Sequence, residues 1–253
     1  MSGTKRDRHE GDRREGDRHG GEGTGDASPA RGGEPAPGFA VLLDGPMMPG
    51  ALLRERAAGL RAIAADGGMR HAAPLGLMPE LWVGDFDGAP ADLAPAWADV
   101  PRETHPVAKD ATDGELALRA ALGRGAGALL VVGALGGPRL DHALGTLALG
   151  LALAGEARGG GAAPTIVMTD GAHWAHPLLP GRPLSPDPRE GAVLSIVALD
   201  ALEGLDVEGV AWPLTDASVP AGSSRTLSNR VVGTPRIALR AGRGLAVLGP
   251  GDR

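Results

Sequence analysis

Cysteine and tyrosine are both absent from this 253-residue chain. Without cysteine there is no disulfide framework, no thiolate metal site and no cysteine nucleophile. The same absence fits cytoplasmic residence. Long apolar runs are missing too. The best, Ala143 to Ala154, falls far short of the roughly 20 residues a membrane-spanning helix needs, and Asp141-His142 stand just before it, so no membrane association is expected. Nor is there an excess of positive charge. The formal net charge is −6, and no nucleic-acid footprint is visible. Glycine and proline, by contrast, are abundant, with 42 and 22 copies.

Residues 1–38 stand apart. They mix Arg, Asp, Glu and Gly with almost no apolar side chain. Such a segment cannot bury enough surface to offset the entropy of ordering it, so a disordered N-terminal extension is expected. It also lacks the apolar stretch of a signal peptide. A binding arm is the alternative, although its two charge signs nearly balance.

From Phe39 the pattern becomes globular. Apolar runs at Phe39–Leu43, Leu60–Ala65, Leu81–Val83, Ala128–Gly133 and Thr165–Met168 read as buried strands. Helical composition or spacing falls at Leu52–Ala58, Met69–Leu75, Asp113–Leu122 and Asp141–Ala154. Strands alternating with helices imply β-α-β units and a parallel sheet. After about residue 170 the helical period disappears. Short β-like runs take over at Ala192–Leu199, Leu205–Trp212, Ser223–Ser228, Arg236–Arg240 and Leu245–Leu248, punctuated by Gly and Pro. The expectation is an α/β protein: a Rossmann-like parallel-sheet domain over residues 39–164, then a smaller all-β sandwich over 165–253. His173, Trp174 and His176 lie together without a second ligand cluster and read as surface or packing residues.

The most informative stretch is Leu81-Trp82-Val83-Gly84-Asp85-Phe86-Asp87. An apolar strand ends in two aspartates on alternate residues, which places both carboxylates beyond its carboxyl end on one side. Open α/β sheets bind ligands at that edge. Two adjacent anions repel unless a cation sits between them, and paired oxygen ligands suit Mg²⁺ with substrate phosphates. The pattern serves equally as a turn and helix cap. Three other strand ends also carry polar residues: Asp66-Gly67-Gly68, Lys109-Asp110-Ala111-Thr112-Asp113, and Gly136-Gly137-Pro138-Arg139-Leu140-Asp141-His142. Each alone admits a bland reading as a cap or a solvated charge.

Together and in this order, these segments resemble the thiamine pyrophosphokinase family. Thr112 to Leu118 matches a T-D-x-E-x-A-L stretch, and Gly136 to His142 a G-G-x-R-x-D-H segment. Gly209 to Leu214 looks like a G-x-x-W-P-L turn, Gly222 to Asn229 like the segment ending in S-N, and Gly242 to Leu248 like the closing strand.

The resemblance implies transfer of a pyrophosphoryl group from ATP, as co-substrate, to the thiamine hydroxyl, giving thiamine diphosphate and AMP. It implies a homodimer whose active site lies between the α/β domain of one subunit and the β domain of the other. Asp85, Asp87 and Asp113 would hold Mg²⁺. Lys109 and Arg139 would offset phosphate charge, and Asp141 would orient or deprotonate the attacking hydroxyl. Asp66, Gly67, Asp110, Thr112, Arg139 and His142 would contact the nucleotide. Trp212 would stack on the cationic thiamine rings, with Ser228 and Asn229 hydrogen-bonding its pyrimidine end; Trp212 as a core aromatic is the plainer alternative. Three departures stand out: Gly88 where Ser is common, Arg230 where an acidic residue is frequent, and Leu43-Asp44-Gly45-Pro46 in place of a plain glycine-rich turn. Competing readings are a pyrophosphokinase acting on a hydroxymethyl pterin and a non-catalytic thiamine or nucleotide sensor. The full carboxylate set argues against the sensor.

Overall fold

A computed structural model describes residues 38–86, 96–106, 110–157, 162–187 and 191–251. The extension expected over residues 1–38 therefore lies, up to residue 37, outside the described residues, as do Asp87, Gly88 and Lys109.

Alternation along the first strand sets the layering. In β1 (Gly38–Leu42), Phe39 and Val41 point to one face while Ala40 and Leu42 point to the other, and all four are fully buried. A strand buried on both faces belongs inside a sheet covered by helices. On the Ala40/Leu42 face lie α1 (Ala51–Ala57) and α2 (Ala72–Leu75), the latter preceded by a 3₁₀ helix over Asp66–His71. On the Phe39/Val41 face lie α3 (Asp113–Gly123) and α4 (Leu140–Gly155). Helix α3 starts at Thr112, whose Oγ1 accepts from the Glu115 amide at 3.2 Å. This cap satisfies one of the helix's free N–H groups.

The parallel part of the sheet contains β2 (Arg61–Ala65), β3 (Pro79–Gly84), β4 (Arg102–Thr104), β5 (Ala128–Val132) and β6 (Thr165–Thr169). Its order is β4-β3-β2-β1-β5-β6, every pair parallel. The chain winds one way from β1 through β2 to β3 and β4, then returns past β1 to β5. The gap between the carboxyl ends of β1 and β5 is thus a topological switch point, where such sheets form a ligand crevice.

Strand direction reverses after β6. The remaining strands are β7 (Trp174–Leu178), β8 (Val193–Ala198), β9 (Leu202–Val210), β10 (Leu214–Val219), β11 (Asn229–Ala238) and β12 (Gly244–Gly249). They continue the hydrogen-bonded order as β7-β12-β8-β11-β9-β10, all antiparallel. The beginning of β11 pairs with β8 at Asn229 and Arg230, while Arg236–Ala238 pair with β9, with a register shift between. One strand is therefore shared between two sets of strands, the way sheets turn corners.

The run expected as a strand at Ser223–Ser228 is instead a turn. There the Thr226 hydroxyl donates to Ile196 O at 2.7 Å, and the Ser228 amide donates to Ser195 Oγ at 2.9 Å. Ser228 itself has φ 59°. These local bonds replace a ladder.

Candidate active site

The carboxyl ends of β1, β2, β3 and β5 surround a cavity of about 590 Å³. Asp66 and Asp85 enter from the ends of β2 and β3, Asp110, Thr112 and Asp113 from the approach to α3, and Arg139 and His142 from the start of α4. Four separate sequence segments thus converge on one cavity. Gly67, expected beside the nucleotide, is buried behind the wall.

Asp66 is the most perturbed group. It sits at φ 43°, a left-handed conformation that aspartate tolerates better than most residues. Its main-chain oxygen accepts from the indole N–H of the fully buried Trp82 at 2.8 Å. Burial pushes its carboxyl up to about 7, reinforced by a hydrogen bond shared with Asp113 and by the charges of Asp113 and Asp85; the Phe86 N–H opposes the shift. Asp66 Oδ1 is buried and, among the described residues, accepts no hydrogen bond. It lies against Gly84, where a Cβ would overlap it. Glycine before the first aspartate is thus needed for carboxylate packing.

Phe86 explains the aromatic between the two aspartates. It turns back at φ 62° and meets Trp82 edge-on, ring centroids 5.1 Å apart. The Arg102 guanidinium lies 4.8 Å from the Trp82 ring and 5.3 Å from the Phe86 ring. A strained, clamped residue of this kind fixes the direction of Asp85 before it.

Asp85 and Asp113 lie close enough for their charges to raise the proton affinity of Asp66. Such clustered carboxylates fit a hard divalent cation: Mg²⁺ takes one or two carboxylates and completes its shell with water and phosphate oxygens. Among the described residues no group of three or more His, Cys, Asp or Glu is placed to hold a metal ion; Asp87, the third expected ligand, lies outside them.

Arg139 and Asp141 form a two-point ion pair, Nε to Oδ1 at 3.0 Å and Nη2 to Oδ2 at 2.7 Å. The hydrogen bond from Arg139 holds the Asp141 carboxyl down at about 2. A carboxylate so held is a poor proton acceptor at neutral pH.

A second cavity of about 200 Å³ opens in the β-rich half, lined by Ile196, Trp212, Leu214, Arg225 and Asn229 among others. It shares no lining residue with the first. Trp212 is 63 % exposed, so it is not a core aromatic. Asn229 clasps its backbone: Oδ1 accepts from the Trp212 amide at 3.1 Å and Nδ2 donates to Trp212 O at 2.7 Å. Ser228 does not line the cavity. Sequence reasoning missed Asp44, which lines the first cavity, and Arg225, which lines the second. The unusual turn after β1 pointed to Asp44; nothing in the spacing pointed to Arg225.

The chain matches two family models. Residues 57–157 match "Thiamin pyrophosphokinase, catalytic domain" and residues 183–244 match "Thiamin pyrophosphokinase, vitamin B1 binding domain". Together they span more than half the sequence. A search of curated proteins found no match. Among solved structures, the thiamin pyrophosphokinase of Geobacillus thermodenitrificans is similar at 26 % identity and TM-score 0.69, covering 85 % of this chain and 98 % of that one. The Bacillus subtilis enzyme shares the fold at 22 % identity and TM-score 0.71, covering 85 % and 100 %. Yeast thiamin pyrophosphokinase does so at 13 % identity and TM-score 0.66, covering 87 % and 88 %.

Proposed function

This chain belongs to the thiamin pyrophosphokinase family, and we propose that its two cavities bind ATP and thiamine for Mg²⁺-assisted pyrophosphoryl transfer. The observation that carries the reading is the carboxylate cluster at the switch point, where Asp66, Asp85 and Asp113 crowd together at the wall of the larger cavity.

In this reading the thiamine hydroxyl oxygen attacks the β-phosphorus of ATP. The bond from that phosphorus to the α–β bridging oxygen breaks, AMP leaves, and the hydroxyl proton passes to solvent water. Asp85 and Asp113, with Asp87, would hold Mg²⁺, which would supply neutralisation of the phosphate charge. The Thr112 cap and the start of α3 present backbone N–H groups to phosphate oxygens. Asp110 and His142 border the nucleotide, and Lys109 offsets phosphate charge. Arg139 can grip a phosphate bidentately while its pair with Asp141 fixes both side chains. Asp141 then orients the hydroxyl rather than accepting its proton. Residues 39–164 form the nucleotide-binding domain. Strand β6 (Thr165–Thr169), parallel to β5, carries that domain's sheet to Thr169, and the β-sandwich thiamine-binding domain expected from residue 165 begins after it, at the strand reversal.

Thiamine takes the smaller cavity. The exposed Trp212 face suits a cationic ring, worth about 0.5–2 kcal/mol. Asn229 holds Trp212 in place, and Ser228, which does not line the cavity, lies at the turn leading into Asn229. The protein acts in the cytoplasm as a homodimer with shared sites. Two exposed apolar features support the dimer: Leu140 and Leu144, one turn apart on α4, and Trp212 with Val232 in the β-rich half.

The test is an assay with ATP, Mg²⁺ and either thiamine or a hydroxymethyl pterin. Thiamine-dependent AMP release is expected. AMP release with the pterin alone would move the acceptor, and binding without AMP would make the protein a sensor.

A further inference from the structure

One carboxylate in the wall of the larger cavity is used by neither the cation nor the substrates. Asp44 stands two residues beyond the end of β1 and is 59 % exposed at its side chain. Its partner is Arg70, from the 3₁₀ helix that begins with Asp66. Arg70 Nη1 donates to Asp44 Oδ1, and Nη2 donates to Asp44 O at 2.6 Å and Gly45 O at 3.2 Å. The next residue, buried His71, places Nε2 2.9 Å from Gly45 O. Gly67 makes room for the pair, since a Cβ there would overlap Asp44 Oδ1 and stand 3.1 Å from Arg70 Nη1. The loop held this way reaches the opposite wall, where Pro46 lies 3.0 Å from the Cβ position of Gly137. So the element bearing Asp66 also fixes the loop that closes this side of the cavity.

Charge makes the pair matter. Among the described residues lining the cavity are five aspartates, Asp44, Asp66, Asp85, Asp110 and Asp113, against a single arginine, Arg139. A polyphosphate entering there meets net negative charge, so each uncompensated carboxylate opposes it. A bound cation would serve the Asp66–Asp85–Asp113 group. Among the described residues, the ion-pair partner of Asp44 is Arg70.

We propose that Arg70 is a positioning residue for the nucleotide: it neutralises Asp44 and pins the loop after β1, so that the cavity accepts a polyphosphate that an unpaired Asp44 would repel. The inference rests on the ATP-binding reading above. It makes Arg70 and Asp44 determinants of nucleotide affinity, with no contact to the reacting atoms.

Steady-state kinetics on wild type, Arg70→Ala, Asp44→Asn and the double variant test it. Arg70→Ala should raise the KM for ATP about tenfold and leave the thiamine KM unchanged; added salt should recover part of the loss, because the exposed charge is screened. The double variant should recover most but not all of the loss, since the repelling charge is gone while the loop stays unpinned. An unchanged ATP KM in Arg70→Ala overturns the proposal. So does a defect that Asp44→Asn fails to relieve, which would leave only a packing role. Should Arg70→Ala not fold, Arg70→Lys keeps the charge but loses the fork, and an intermediate KM is expected; a KM equal to wild type would overturn the positioning part. If wild type releases no AMP with thiamine, the functional reading fails, and equilibrium binding of ATP to the same proteins decides this inference independently.

Discussion

At the scale of single residues, the side chains divide by what surrounds them. Asp66 and Asp141 are both carboxylates at one edge of one sheet, yet burial and acidic neighbours push the first up to about 7 while Arg139 pulls the second down to about 2. Environment sets role. Asp85→Asn should therefore abolish turnover without unfolding the protein; thiamine-dependent AMP release and a melting curve check both halves, and near-normal turnover at limiting Mg²⁺ would remove Asp85 from the metal site. Trp212→Ala should raise the thiamine KM by roughly tenfold, in line with a cation–π loss, with kcat and Tm little changed because the indole is mostly exposed. A large fall in Tm would make it a packing residue after all. The sequence placed Asp85, Asp113 and Arg139 at the cavity because polar residues ending apolar strands are visible in one dimension. It did not reveal that Asn229 spends its amide on the Trp212 backbone, or that Asp44 pairs with Arg70. Those partners lie 17 and 26 residues apart, and no local pattern encodes them.

At the scale of elements, legibility followed burial. The strands with continuous apolar runs, β1, β2, β3, β5 and β6, read directly from the sequence, as did α3 and α4. Three strands did not. In β4 all of Arg102, Glu103 and Thr104 are exposed, so no apolar signal exists. In β7 a proline and a histidine interrupt the run, and in β10 only Val219 is buried. Tertiary pairing decides such segments. Strand β7 also carries a pH liability. His176 faces a cavity of about 340 Å³ beside the Arg56–Asp187 ion pair. Burial, aided by the Arg56 charge, lowers it from 6.5 to about 4. The folded state thus holds His176 neutral while the unfolded chain takes up a proton below 6.5. Stability is fully present above that pH and falls as pH drops toward 4, by about 3 kcal/mol for this group. Denaturant titrations of wild type and His176→Leu at pH 7 and pH 4.5 check this: the variant should lose distinctly less stability on acidification. Gly84→Ala belongs at this scale too. Its methyl would overlap Asp66 Oδ1, so the end of β3 must shift; activity should fall by more than tenfold with a modest loss of Tm, measured by assay and melting.

At the scale of the whole molecule, the parallel and antiparallel halves form one hydrogen-bonded strand order, but their two cavities have no lining residue in common. The proposed site shared between subunits would account for each half carrying only part of the chemistry. Mixing Asp85→Asn with Trp212→Ala tests it at limiting thiamine. Subunit exchange should restore about a quarter of wild-type activity, because each mixed dimer regains one intact site; no recovery would place both substrates within one chain.

The account stands or falls on where the phosphates of ATP go. With ATP labelled at the γ-phosphate, and separately at the α-phosphate, the protein should pass the γ label to thiamine diphosphate and leave the α label in AMP. Label appearing as thiamine monophosphate with ADP, or no transfer to thiamine, would contradict it.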